Sequence, residues 1–177
     1  MEKTNTQILG RRQIVESLDR EFARLHVNSG AAIARAPAGS LYLVPAQAGI
    51  PSSTAESTSM CSIGEGILRS AATVERTFGG ITSNLWDDPF EWTLPEYLST
   101  PDKITAHLAE VEEIRRRAFN SFADDDCLLK RVSLPSGESQ PLIALLLETL
   151  VQAVNHQAQA LLVLRILSGI SPPRFII

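Results

Sequence analysis

"VQAVNHQAQALLVLR", residues 151–165, decides the fold. It contains no proline or glycine, and its single formal charge, Arg165, comes at its end. A helix that is apolar around most of its circumference belongs in a core. Upstream, the turn signal "SLPSGESQP" leads to Pro141, a residue suited to a first helical position. Downstream, Gly169 suits a C-cap and Pro172–Pro173 forbid continuation. The pattern therefore predicts a helix over about 141–167.

Three further stretches carry helical periodicity. Over 6–35, Ile8, Ile14, Val15, Leu18, Phe22 and Leu25 recur on one side, and Gly30 marks a weak point. Over 62–84, Ser62 with Glu65 three residues later makes a capping-box start. Gly79–Gly80 within that helix marks a kink or a close approach. Over 101–124, Thr100–Pro101 is the entrance, and the three acids of "ADDDC" are disfavoured by the helix dipole at the exit. Four helices without convincing strands predict an all-α four-helix bundle, a single domain over 1–177 with long inter-helix loops. The longest loop, 36–60, is rich in Pro, Gly, Ser, Thr and Ala. A second loop holds Trp86, Phe90 and Trp92, expected as a lid over the bundle end or as an interface anchor.

Composition excludes several classes. The chain of 177 residues is 44% hydrophobic, with a net charge of −4, so there is no general basic footprint for nucleic acid. The basic run Arg115–Arg117 follows Glu110, Glu112 and Glu113 at ion-pair spacing and is expected as a solvated helix face. No stretch approaches the roughly 20 apolar residues of a membrane span. The start "MEKTNTQILGRR" lacks an apolar leader core, and Cys61 and Cys127 show no paired motif. A cytoplasmic setting is expected, with both thiols as small core or boundary residues.

Candidate chemistry centres on the last helix. Gln152 and His156 are one turn apart on one face, and Glu148 and Gln159 extend the line. The bland reading of His156 is a hydrogen-bonded core imidazole; the sharper one is a metal ligand, revived if His107 meets it across the bundle. His26 is expected to pack at a boundary. Ser70, beside Ala71 and Val74, is expected to face inward, as a packing hydroxyl or a pocket group. No H-x-x-x-H pair, CxxC, phosphate-binding loop, dinucleotide fingerprint or GxSxG elbow occurs.

The end of the chain, "NHQAQALLVLRILSGISPP", resembles the last helix of the DinB-like superfamily. Members typically read HHRGQ, then an apolar stretch, Leu-Arg and a Gly-x-x-Pro exit; His156, Gln159, Leu164–Arg165 and Gly169–Pro172 fall into register. "SIGEGILRSAATVERTF" is similar to the family's S-x-x-E-x-x-x-H segment with a later Val-Glu, matched by Ser62, Glu65 and Val74–Glu75. The resemblance implies a bundle, commonly a homodimer, with zinc or nickel on three histidines. It also implies thiol-S-transferase, hydrolase or isomerase chemistry in some members. The three ligand positions are carried onto Ser70, Gln152 and His156. Hydroxyl and amide oxygens are poor donors for zinc or nickel, and catalytic zinc needs three protein ligands. The expectation is a degenerate site without cofactor, a pocket of Ser70, Gln152, His156 and Glu148 for a small-molecule ligand, or a dimeric protein that binds through its dimer surface. The alternative is a metal-dependent transferase or hydrolase with His156 as one ligand and His107 or Glu148 completing the shell.

Overall fold

A computed structural model of the chain describes residues 10–45, 61–87 and 97–169. Four helices dominate: α1 (Gln13–Arg35), α2 (Ile63–Ser83), α3 (Pro101–Ser121) and α4 (Leu142–Ser168). The all-α, four-helix architecture is as the periodicity predicts. Among the described residues no helix is long and apolar enough to cross a membrane.

Local signals account for most helix ends. The Ser62 hydroxyl accepts from the Glu65 N–H at 3.2 Å, and Thr100 caps α3 through the Lys103 N–H. Gly169 closes α4 at φ 63°, a left-handed conformation that costs glycine little. α1 begins differently, because its N-cap, Arg12, makes no side-chain cap bond. Asp125, far along the chain, accepts from the N–H groups of Ile14 at 3.1 Å and Val15 at 2.9 Å instead. α1 also runs through Gly30 to Arg35, with Ala32 and Ile33 beyond the glycine buried in the core.

Three boundaries differ from expectation. α1 starts at Gln13, after a 3-10 turn (Gly10–Arg12), and not near 6; residues 6–9 lie outside the described residues. α3 stops at Ser121, where Arg12 donates to the Phe122 carbonyl at 2.7 Å, and a short 3-10 turn (Asp125–Leu129) follows. Asp124 caps that turn by accepting from the Cys127 N–H, so the acids sit at helix starts, where the dipole favours them. The turn before α4 is also a hairpin: β1 (Arg131–Ser133) pairs antiparallel with β2 (Ser139–Pro141) around Gly137 at φ 85°. Pro141 consequently ends β2 and caps α4, which starts at Leu142.

The core lies between all four helices: Leu146, Ala153, Ala160 and Leu164 of α4 pack in it, and Phe22, Phe78 and Phe119 of α1, α2 and α3 stack with ring centroids 5.1–5.7 Å apart. Arg115 departs from the expected solvated face. It is only 4% exposed, chelates Glu112 at 2.7 and 2.8 Å, reaches Asp19 on α1 and lies over the Phe119 ring. Arg116 and Arg117 do pair with Glu113 on the surface. Both thiols are free; Cys127 is buried and Cys61 half-buried, and burial raises both pKa values.

Candidate functional site

α2 and α4 share the most extensive helix contact in the bundle, and glycine makes it close. A Cβ at Gly66 would stand 2.9 Å from Ala160 Cβ and 3.0 Å from the His156 carbonyl. Beyond this point the same two helices border a cleft of about 320 Å³. Arg69, Thr73 and Arg76 line it from α2, Glu148, Gln152 and His156 from α4. The β1–β2 turn and Trp86 close its ends. Trp86 is held there because Gly80 leaves room: a Cβ on Gly80 would meet the indole at 2.4 Å.

The floor is a buried hydroxyl pair, Thr77 and Thr149, 2.8 Å apart. Thr149 donates its only hydroxyl proton to the Leu145 carbonyl, so Thr77 is the donor of the pair. Above it, Glu148 accepts from Gln152 at 3.3 Å and Gln140 at 3.5 Å, and Arg76 donates to the Trp86 carbonyl at 3.0 Å. Arg69 holds Glu65 at 3.0 Å. His156 is half-buried, and its Nδ1 is buried with no hydrogen-bond partner among the described residues. Burial first, and then the Arg69 charge, lower its pKa, which keeps the imidazole neutral at pH 7.

Glu148, Gln152 and His156 thus share one cleft, and Ser70 does not join them. Ser70 is 2% exposed and borders a void of about 30 Å³ facing α1 and α3, with Phe22, His26 and Arg115. The residue four beyond Glu65, at the spacing of the resemblance, is Arg69, and Arg69 faces the cleft. One position along a helix is a rotation of about 100°, enough to move a side chain from one face to the next. Arg69, Thr73 and Arg76, at i, i+4 and i+7, were the legible signal, a polar stripe opposite the apolar one.

His107 opens onto a different cleft, of about 860 Å³, on the α3 side of α2. There its Nε2 lies 3.7 Å from Glu75 Oε2, and both atoms are buried without a hydrogen bond. Burial raises the Glu75 pKa most, Glu110 adds to it and His107 opposes it. His107 and His156 therefore do not meet, because α2 stands between their clefts. Among the described residues no group of three or more His, Cys, Asp or Glu side chains comes together to hold a metal ion. The groups that share the cleft with His156 do not fit a three-histidine zinc or nickel centre: they include no second imidazole, and the Arg69 charge that acts on His156 repels a cation. Of the aromatic loop, Trp86 is described and half-buried; Phe90 and Trp92 lie outside the described residues, as does most of 36–60.

The polar seam inside α4 is Gln157 rather than His156. Gln157 is fully buried and donates to the Leu25 carbonyl and the Ser29 hydroxyl, each at 2.8 Å. No family model, curated protein or solved structure matches the chain.

Proposed function

We propose that the chain is a DinB-like bundle whose α2–α4 cleft binds a small polar organic molecule bearing a carboxylate or similar anionic group. One observation carries this reading: Arg69, Arg76 and a neutral His156 converge with Glu148 on one cleft over a hydroxyl floor. Guanidiniums take a carboxylate through paired N–H groups. Glu148, across the cleft, accepts from an amine or hydroxyl on the same molecule. Neutral His156 offers a hydrogen bond without adding charge. The fit is to a ligand carrying both an acceptor and a donor end, such as a small hydroxy or amino acid. The DinB-like assignment rests on the sequence resemblance and on the order of the helices. Within it, Arg69, four residues beyond Glu65, lines the cleft in place of Ser70, and its guanidinium supports an anion where the resemblance implies a cation.

The test is thermal unfolding and titration calorimetry with a panel of small hydroxy acids, amino acids and dicarboxylates, on protein purified without chelator. A binder present at about 100 times its Kd should stabilise the fold by about 2.7 kcal/mol. Arg76→Ala and His156→Gln should each abolish that gain. Absence of a shift with any member, or shifts indifferent to both variants, rejects the reading. Elemental analysis of the same sample, finding about one metal per chain retained through His156, would replace it with the metal-dependent alternative.

A further inference from the structure

The cleft on the α3 side of α2 is the larger of the two, at about 860 Å³, within the size range of small-molecule sites. Ile81 and Leu85, at and beyond the end of α2, and Ile114 on α3 give it an apolar wall. Ile81 and Ile114 are anchored there, because both also pack against the core. Two polar atoms interrupt this wall, Glu75 Oε2 on α2 and His107 Nε2 on α3. Their side chains are 27% and 11% exposed, yet the two atoms themselves are buried, and neither has a hydrogen-bond partner among the described residues. Their separation of 3.7 Å is too long for a direct hydrogen bond. A buried polar atom left unmatched costs free energy, so two side by side on a cleft point to a third group that joins them.

The character of that group follows from charge and proton count. An ionised carboxylate only accepts hydrogen bonds, and an imidazole with its proton on Nδ1 accepts at Nε2. The pair therefore calls for a single atom that donates twice. The ion pair that Glu75 makes among the described residues is the long one to His107. The guanidiniums that border the cleft are turned to other partners: Arg76 donates to the Trp86 carbonyl, and Arg117 stands beside Glu113. Burial, and Glu110 with it, raise the Glu75 pKa against the pull of His107. A cation in contact with the carboxylate offsets that desolvation. A hydroxyl has one proton to give and no charge, and a carboxylate has neither. A protonated amine has both. Seated about 2.8 Å from each atom, its nitrogen directs one N–H to Glu75 and another to His107.

We infer that this cleft binds a small amine with an apolar body, its ammonium bridging Glu75 and His107 and its hydrocarbon part lying against Ile81, Leu85 and Ile114. The site lies on the opposite flank of α2 from the His156 cleft and does not depend on what that cleft binds.

Benzylamine is the probe, with benzyl alcohol and benzoate as controls of nearly the same shape. Each is titrated into the full chain and followed by NMR at the imidazoles of His107 and His156. Benzylamine should shift the His107 signals saturably and leave those of His156 in place. Benzyl alcohol should bind about tenfold more weakly and benzoate not at all, since the bridge needs a charged double donor. Glu75→Gln should weaken benzylamine by about tenfold and leave the alcohol unchanged, because an amide oxygen accepts without charge. His156→Gln should leave all three affinities as they are. No saturable shift at His107, benzoate binding as tightly as the amine, or an amine affinity indifferent to Glu75→Gln would each overturn the inference. The ranking of the three probes on the unaltered protein needs no variant to fold. The probe is opposite in charge to the ligand proposed for the α2–α4 cleft and reports at a different imidazole, so either reading can fail without the other.

Discussion

On its α4 side α2 faces His156 and Glu148, and on its α3 side it sets its own Glu75 against His107. Each flank therefore offers one imidazole, one carboxylate and a cleft. On the α4 side the carboxylate is exposed and the imidazole is held neutral by burial and by Arg69. On the α3 side the carboxyl is the group held back from ionising, by burial and by Glu110. Residue types alone do not assign chemistry here. Depth and the sign of the nearest charge do: they decide which of the two groups on each flank is kept neutral.

The severest way to break the comparison is to remove the wall between the flanks. Phe78, fully buried, packs on Phe22 at 5.1 Å and Phe119 at 5.4 Å. Phe78→Ala should cost about 3–5 kcal/mol in urea unfolding, with both clefts lost in one transition. Two separate transitions would mean that the flanks fold independently.

Gly66→Val is smaller and one-sided. The added carbons press on Ala160 and on the α4 backbone, costing about 1–3 kcal/mol. Imidazole signals followed by NMR should report displacement at His156 and leave the chemical shifts of His107 in place. Equal movement of both would place the strain along the whole of α2.

The smallest effect separates the flanks by pH. The lowered His156 pKa means that the unfolded chain takes the proton first. Its penalty is absent above the ordinary 6.5 and grows as pH falls below it, until the folded pKa is passed. For Glu75 the sign reverses. The folded state holds the proton more tightly, so stability rises as pH falls from the raised folded pKa toward the ordinary 4.5. Urea midpoints between pH 7.5 and 4.5 should lose the first slope in His156→Gln and the second in Glu75→Gln. Unchanged slopes in the variants would show that neither group is desolvated as described.

Elements with a local cause were readable from the sequence. Ser62, Thr100 and Gly169 act within one turn of chain, and each does at its helix end what its residue type implies. The strands Arg131–Ser133 and Ser139–Pro141 were not readable, because three residues are too few to show an alternation. Arg115 escaped because its partners include Asp19, on another helix. Assigning the site was hardest, since a step of one residue turns a side chain by about 100°. That step separates Ser70 from Arg69, and Gln157 in the core from His156 at the cleft. Periodicity locates a stripe well and its edges poorly.

The carboxylate of Asp125 has a consequence for the order of assembly. The first turn of α1 is sealed by a residue that leaves the ribosome more than a hundred positions later. Until α3 is complete and the chain has turned back, the amides of Ile14 and Val15 have only water to satisfy them. Early in synthesis α1 is thus a helix with an open end, and its closing marks the moment when the distant half of the bundle arrives.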